Sequence, residues 1–288
     1  MKSKLLFVLA LLLSPVTDAL AAPAAWVDAN HMSLRYRLDG VADAAGGEII
    51  VLLQESGLPL EVWDDFMPRL QKPGRLILRY DPRGVGLSEK FRQPITMRDH
   101  VEDLRALLDA LQLQQPVTLI GGAIGGSIAM QFAALYPQRT QALFVTSPSA
   151  VTQTKAPRPR VNPALDPEGF ATAAERTLDV TYPKRFRTDE AKWQRLRAME
   201  GVNDFESEVL TEALINTTDF TDVLPRIQCP ALLVATAVFP RPVDSVKALS
   251  QRIPHGEFAV IESGHLAFYQ TPELVDPLLQ RFLKAHVR

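Results

Sequence analysis

The sequence predicts an α/β protein: a mostly parallel central sheet with helices on both faces. Three observations lead there. Short strand-like runs alternate with stretches at helical spacing. The runs are almost continuously apolar, as strands covered on both faces must be. Of the 288 residues, 47% are hydrophobic and 22% charged, enough to bury a full core and too apolar for a disordered chain.

Residues 1–21 stand apart from that fold. Lys2 and Lys4 precede an apolar run at 5–13, Pro15 breaks it, and Ala19-Leu20-Ala21 supplies a small-x-small cleavage pattern. This is the layout of a secretory signal peptide, and the run is shorter than the roughly 20 residues a membrane-spanning helix needs. No Cys follows the run to carry a lipid. The expectation is export to the periplasm or the medium, with no stable membrane insertion after cleavage.

The core elements follow in order. Residues 33–38 alternate polar and apolar, which predicts an antiparallel edge strand. Apolar runs at 49–53, 76–80, 117–121, 143–147, 231–235 and 258–261 predict the buried strands. Val101, Leu104, Leu108 and Leu111 recur at helical spacing, so a covering helix is expected over about 98–113. A second is expected at 127–135, and a third at 272–285 closes the chain. Residues 149–222 break the rhythm: they open with Pro157, Pro159, Pro163 and Pro167 and continue as short polar helices. The predicted organisation is a core of 22–148 and 223–288, with 149–222 as a helical cap over the C-terminal sheet edge. Open α/β sheets bind ligands at that edge.

Thirty-one basic against 33 acidic side chains give a net charge of −2, which offers no broad basic face to nucleic acid. A lone cysteine, Cys229, excludes an internal disulfide and a thiolate zinc cage. The histidines, at 31, 100, 255, 265 and 286, have no metal-ligand spacing. The glycines at 121–126 do not follow a phosphate-loop pattern. No metal and no cofactor is expected; the partner is a small-molecule substrate or ligand.

Three local patterns carry chemistry. Asp81-Pro82-Arg83-Gly84-Val85-Gly86-Leu87-Ser88 follows a strand, Gly121-Gly122-Ala123-Ile124-Gly125-Gly126 links a strand to a helix, and Ser263-Gly264-His265 follows the last strand. Together they resemble the α/β-hydrolase superfamily over about residues 33–285, and in particular its small capped lactonase and esterase-like members such as 3-oxoadipate enol-lactonases. The resemblance implies a Ser-His-acid site at the C-terminal sheet edge, but two of its positions differ. The family's nucleophile elbow reads G-x-S-x-G. Here Ala123 stands at the serine, and a methyl group has no lone pair with which to attack a carbonyl. The family's acid follows the next-to-last strand, and matching that strand puts Phe239 at the acid. The family histidine corresponds to His265. Gln54-Glu55-Ser56-Gly57 replaces the histidine–glycine pair that often follows the first core strand.

The resemblance also implies an oxyanion site: the amide of Ile124 at a helix N-terminus, which favours anions, and a second amide from Ser56 or its neighbour. His265 is either a general base acting on water or a leftover side chain bonded to backbone. Glu55 either acts as an auxiliary base, or holds His265, or points to solvent. Ser127 is read as packing, Asp81 and Arg83 as a structural turn, Asp244 as a helix cap, Cys229 as buried and inert, and Trp63-Asp64 as a helix start that packs. Phe186, Met199 and Phe205 are expected to seal the lid.

Two functions fit these residues. One is a non-nucleophilic hydrolase acting on a small labile substrate through His265 and the oxyanion site. A triad enzyme stripped of a member retains about 10³–10⁴-fold acceleration, too little for an unactivated ester but enough for an enamine, carbamate or enol-type compound. The other is a catalytically inactive pseudo-hydrolase that binds a small ligand or a protein partner.

Overall fold

A computed structural model describes residues 23–42, 47–150, 162, 164–200 and 204–287. The expected signal segment and much of the Pro-rich stretch lie outside the described residues.

The apolar runs fold as one eight-stranded sheet in the order β1-β2-β4-β3-β5-β6-β7-β8. Its strands are β1 (Ala25–Ala29), β2 (Met32–Gly40), β3 (Glu48–Leu53), β4 (Arg75–Tyr80), β5 (Val117–Gly122), β6 (Thr140–Thr146), β7 (Ala231–Thr236) and β8 (Gly256–Ile261). From β4 to β8 every neighbouring pair is parallel. The segment 33–38 lies in β2 and is antiparallel to β4, as expected, but it is not an edge: β1 pairs along its outer side, from Ala25↔Tyr36 to Ala29↔Met32. The turn between them is Asn30-His31, both at positive φ (49° and 61°). A two-residue hairpin turn needs that conformation twice. With histidine where glycine is usual, the turn carries no signal in the sequence.

The strands alternate between two apolar clusters, one on each face. Ile49, Val51 and Leu53 of β3 join one, Ile50 and Leu52 the other. The first face is covered by α2 (Met97–Ala110) and α3 (Ala123–Leu135), with α7 (Val243–Ser250) beside them. α2 buries Val101, Leu104, Leu107 and Leu108, and a capping box between Thr96 and Asp99 starts it. α3 begins at Ala123 rather than at 127, because the glycines that follow the strand already belong to its first turn. The second face is covered by α1 (Met67–Leu70), α8 (Ala267–Gln270) and α9 (Pro272–His286). Each Leu- or Phe-sized side chain buried this way contributes about 1.5–3 kcal/mol.

Between β6 and β7 the chain inserts α4 (Pro167–Thr181), α5 (Glu190–Glu200) and α6 (Phe205–Thr217). They are not free-standing. Leu178, Tyr182, Trp193 and Leu196 pack into the second cluster, and Leu214 of α6 into the first. Phe186 and Met199 pack against the second cluster as partly buried side chains. Arg195 pairs with Asp65 at 3.0 Å and Arg92 with Asp204 at 2.8 Å, tying α5 and α6 to the core. The guanidinium of Arg187 lies 3.8 Å over the Trp193 ring. At the end of α4 the carbonyl of Thr181 accepts from the His265 amide (2.9 Å) and from Gln270 Nε2 (2.6 Å).

Candidate functional site

The C-terminal ends of β3, β5, β6, β7 and β8 gather Glu55, Ala123, Ser147, Phe239 and His265 along one sheet edge. The centre is the bend from β5 into α3. Ala123 adopts φ +47°, the left-handed region, which costs a residue with a Cβ about 1–2 kcal/mol. Its neighbours explain how the bend fits. A Cβ at Gly125 would fall 2.2 Å from the Leu53 carbonyl oxygen, and one at Gly121 would fall 2.7 Å from the Gly125 carbonyl carbon. Strand and helix therefore approach as closely as bare backbone allows. The Ile124 N–H is among the first four of α3, which have no partner inside the helix. Ser127 is turned away: its hydroxyl bonds to the Ala123 and Ser149 carbonyls at 3.1 and 2.6 Å, in line with packing.

His265 follows β8. The β7 and β8 loops are stitched together by Ala237 N–H to Ile261 O (2.9 Å) and Val238 N–H to Ser263 O (3.0 Å). This lays the Phe239 ring flat on the imidazole, with centroids 4.0 Å apart and planes 22° from parallel. Nδ1 of His265, the atom an orienting carboxylate would hold, is buried without a hydrogen-bond partner. Burial, then the positive charge of Arg241, lowers the imidazole pKa to about 3. The backbone N–H of His265 donates to Thr181, and among the described residues its ring Nδ1 is not held by backbone.

Sequence reasoning missed Arg241. It sits two residues past Phe239 in the same loop, its guanidinium 5.8 Å from that ring, and donates through Nη1 to the Ser147 carbonyl at 2.5 Å. Burial lowers its pKa, and it makes no ion pair among the described residues.

Glu55 does not point to solvent. It is 8% exposed and its Oε2 is buried with no partner. The side chain covers Gly122, with Oε1 2.6 Å from where a Cβ there would stand. Burial first, and then the charge of Glu200 at the end of α5, holds its carboxyl well above the usual carboxylate range. Glu200, also missed from sequence, is itself pushed up to about 7 by burial and by Glu208. No hydrogen bond joins Glu55 to His265, so of its alternatives the one in which Glu55 holds the imidazole does not match the geometry. Ser56 is exposed at the tip of a turn closed by Leu58 N–H to Glu55 O at 3.3 Å, with Gly57 at φ +77°.

The remaining candidates are structural. Asp81 accepts from the Leu60 and Leu87 amides at 2.7 and 3.0 Å and from Arg35 at 3.1 Å, while Arg83 donates two hydrogen bonds, through Nε and Nη2, to the Asp103 carboxylate. Trp63 ends a short 3₁₀ turn and is buried. Asp244 lies in the first turn of α7 but does not cap it; Pro242 occupies the cap. Burial pushes the Cys229 thiol up to about 12, which leaves it inert. Among the described residues, no group of three or more His, Cys, Asp or Glu could hold a metal ion, and no helix is long and apolar enough to cross a membrane.

A family model of the alpha/beta hydrolase fold matches residues 51–272. The chain belongs to the α/β-hydrolase family. Its relatives within that family include a poly(3-hydroxyalkanoate) depolymerase of Ectopseudomonas oleovorans, 27% identical over 82% of this chain and 84% of that one. The 3-oxoadipate enol-lactonase 2 of Acinetobacter baylyi is 25% identical over 89% and 95%. The crystal structure of the enol-lactonase from Burkholderia xenovorans superposes with a TM-score of 0.79, at 23% identity over 90% of this chain and all of that one, and shows the same fold. An α/β-hydrolase bend is thus present in this chain, with a methyl group at its apex.

Proposed function

We propose that this α/β-hydrolase acts on a small labile substrate by water attack, without an acyl-enzyme intermediate. The observation that carries the reading is the strained bend at Ala123. Backbone strain of this kind persists where the surroundings enforce it, and it collects at functional sites. Here it aims the Ile124 amide and the N-terminus of α3 at the pocket, the arrangement that stabilises developing negative charge on a carbonyl oxygen. Residues 149–222 serve as the cap that encloses the substrate. Ser56 borders the mouth of the pocket. His265 supplies a neutral imidazole in contact with the water. Export through residues 1–21 places the activity outside the cytoplasm.

A second reading, a pseudo-hydrolase that binds and does not turn over, is favoured by the His265–Phe239 stack. An imidazole with pKa about 3 is a poor base near neutral pH, where the most effective base has a matched pKa. Assay of the parent on enol esters, carbamates and strained lactones separates the two. The first reading expects turnover of at least one compound, reduced tenfold or more in His265→Ala, and no adduct with a fluorophosphonate. The double variant Ala123→Ser with Phe239→Asp supplies the missing groups. If it gains ester hydrolysis while the parent turns over nothing, the pocket is sound and the binding reading holds.

A further inference from the structure

Glu55 is an anomaly among the buried side chains. Buried carboxyls are normally paired or hydrogen-bonded, because isolated burial of the charge is costly. Glu55 has neither kind of partner at Oε2. Among the described residues, the charge that acts on it is of its own sign: Glu200 from α5, itself acted on by Glu208 of α6. It covers Gly122, one residue before the bend, and so flanks the approach to the Ile124 amide. On the other side of β5, past the end of β6, Arg241 is a half-buried cation with no carboxylate partner among the described residues. The C-terminal sheet edge thus carries a carboxyl that cannot ionise cheaply, a helix N-terminus and, further along, a guanidinium without a counter-charge among the described residues. Such an edge suits negative charge.

We propose that Glu55 is the proton-donating group of this pocket, that the pocket takes a small organic carboxylate, and that an oxygen of this ligand accepts from the Glu55 O–H beside the Ile124 N–H. The proton stays on Glu55, and no bond is made or broken. This rests on reading the sheet edge as a ligand pocket, but not on turnover there. An acid kept neutral by its surroundings in order to donate a hydrogen bond is an established device in enzymes.

The test is equilibrium titration with benzoate between pH 6 and 9, with benzylammonium as the oppositely charged probe of similar shape. Each unit of pH above the Glu55 pKa cuts the competent fraction about tenfold, so benzoate binding declines as pH rises. Glu55→Gln keeps a donor, retains binding and loses the pH dependence. Glu200→Gln keeps the decline but moves its midpoint to lower pH, because a charge that raises the Glu55 pKa is gone. Circular dichroism confirms that each variant is folded. The proposal is overturned if folded parent binds no benzoate at pH 6, if Glu55→Gln leaves the pH profile unchanged, if Glu200→Gln abolishes the decline, or if benzylammonium binds and tightens as pH rises. An absent turnover in the assays above, with benzoate binding intact, counts against the hydrolase reading alone.

Discussion

Ala123 holds a conformation that glycine adopts freely and alanine does not. Replacing it with glycine removes about 1–2 kcal/mol of strain and gives back about 0.5–1 kcal/mol through the greater freedom of the unfolded chain. Ala123→Gly is therefore expected to raise the melting temperature slightly, by about 1–3 °C for a domain of this size; a drop by as much would mean that the methyl packs against something it needs. Three of the candidate site residues were named from their place in local patterns: Ala123 from the elbow glycines, Phe239 from its distance past a strand, His265 from the glycine before it. Glu55 and Arg241 were not legible in the same way. Nothing local distinguishes a glutamate that turns inward over Gly122 from one that turns out, because the space it fills is made by a glycine 67 positions later. Arg241 matters through what it lacks among the described residues, a counter-charge, and that depends on which elements the fold brings near it.

The bend between β5 and α3 is where one element dictates the placing of another. A Cβ at Gly125 meets two carbonyl oxygens of the β3 end, Leu53 and Gln54, at 2.2 and 2.5 Å, and backbone there cannot step aside as a side chain would. Gly125→Ala is expected to push α3 off β3 and cost about 3 kcal/mol or more, in the range where overpacking becomes severe. Urea unfolding measures it, and a loss below about 1 kcal/mol would show that the crossing is looser than its geometry. The buried strands were legible because a strand covered on both faces has to be apolar almost throughout. β1 was not. It is five residues long, exposes Trp26, and closes on a turn whose second residue is histidine. The start of α3 was misplaced for a related reason: glycines that read as the end of a strand also form the first turn of a helix.

At the scale of the whole molecule, buried ionisable groups set how stability follows pH. His100 is buried on the inner face of α2 and its pKa is lowered to about 4, chiefly by burial; His265 is lowered to about 3. Both sit near 6.5 in an unfolded chain. As pH falls below 6.5 the unfolded chain binds protons that the folded one refuses, so stability is lost down to about pH 4 for His100 and 3 for His265. Glu200 acts in the opposite sense: its contribution is present below its unfolded value and is lost as pH rises through about 7. His100→Phe isolates one part. The melting temperature of the variant relative to the parent is expected to be constant above pH 6.5 and to climb steadily from there to about 4. A difference that does not vary with pH would remove His100 from the account.

The carbonyl of Thr181 receives two donors from the segment that carries His265. The end of α4 and the histidine loop are therefore mechanically one piece. Any outward movement of α4 would pull on that loop, and an imidazole drawn from the Phe239 face into water would regain basicity, since burial is the first cause of its low pKa.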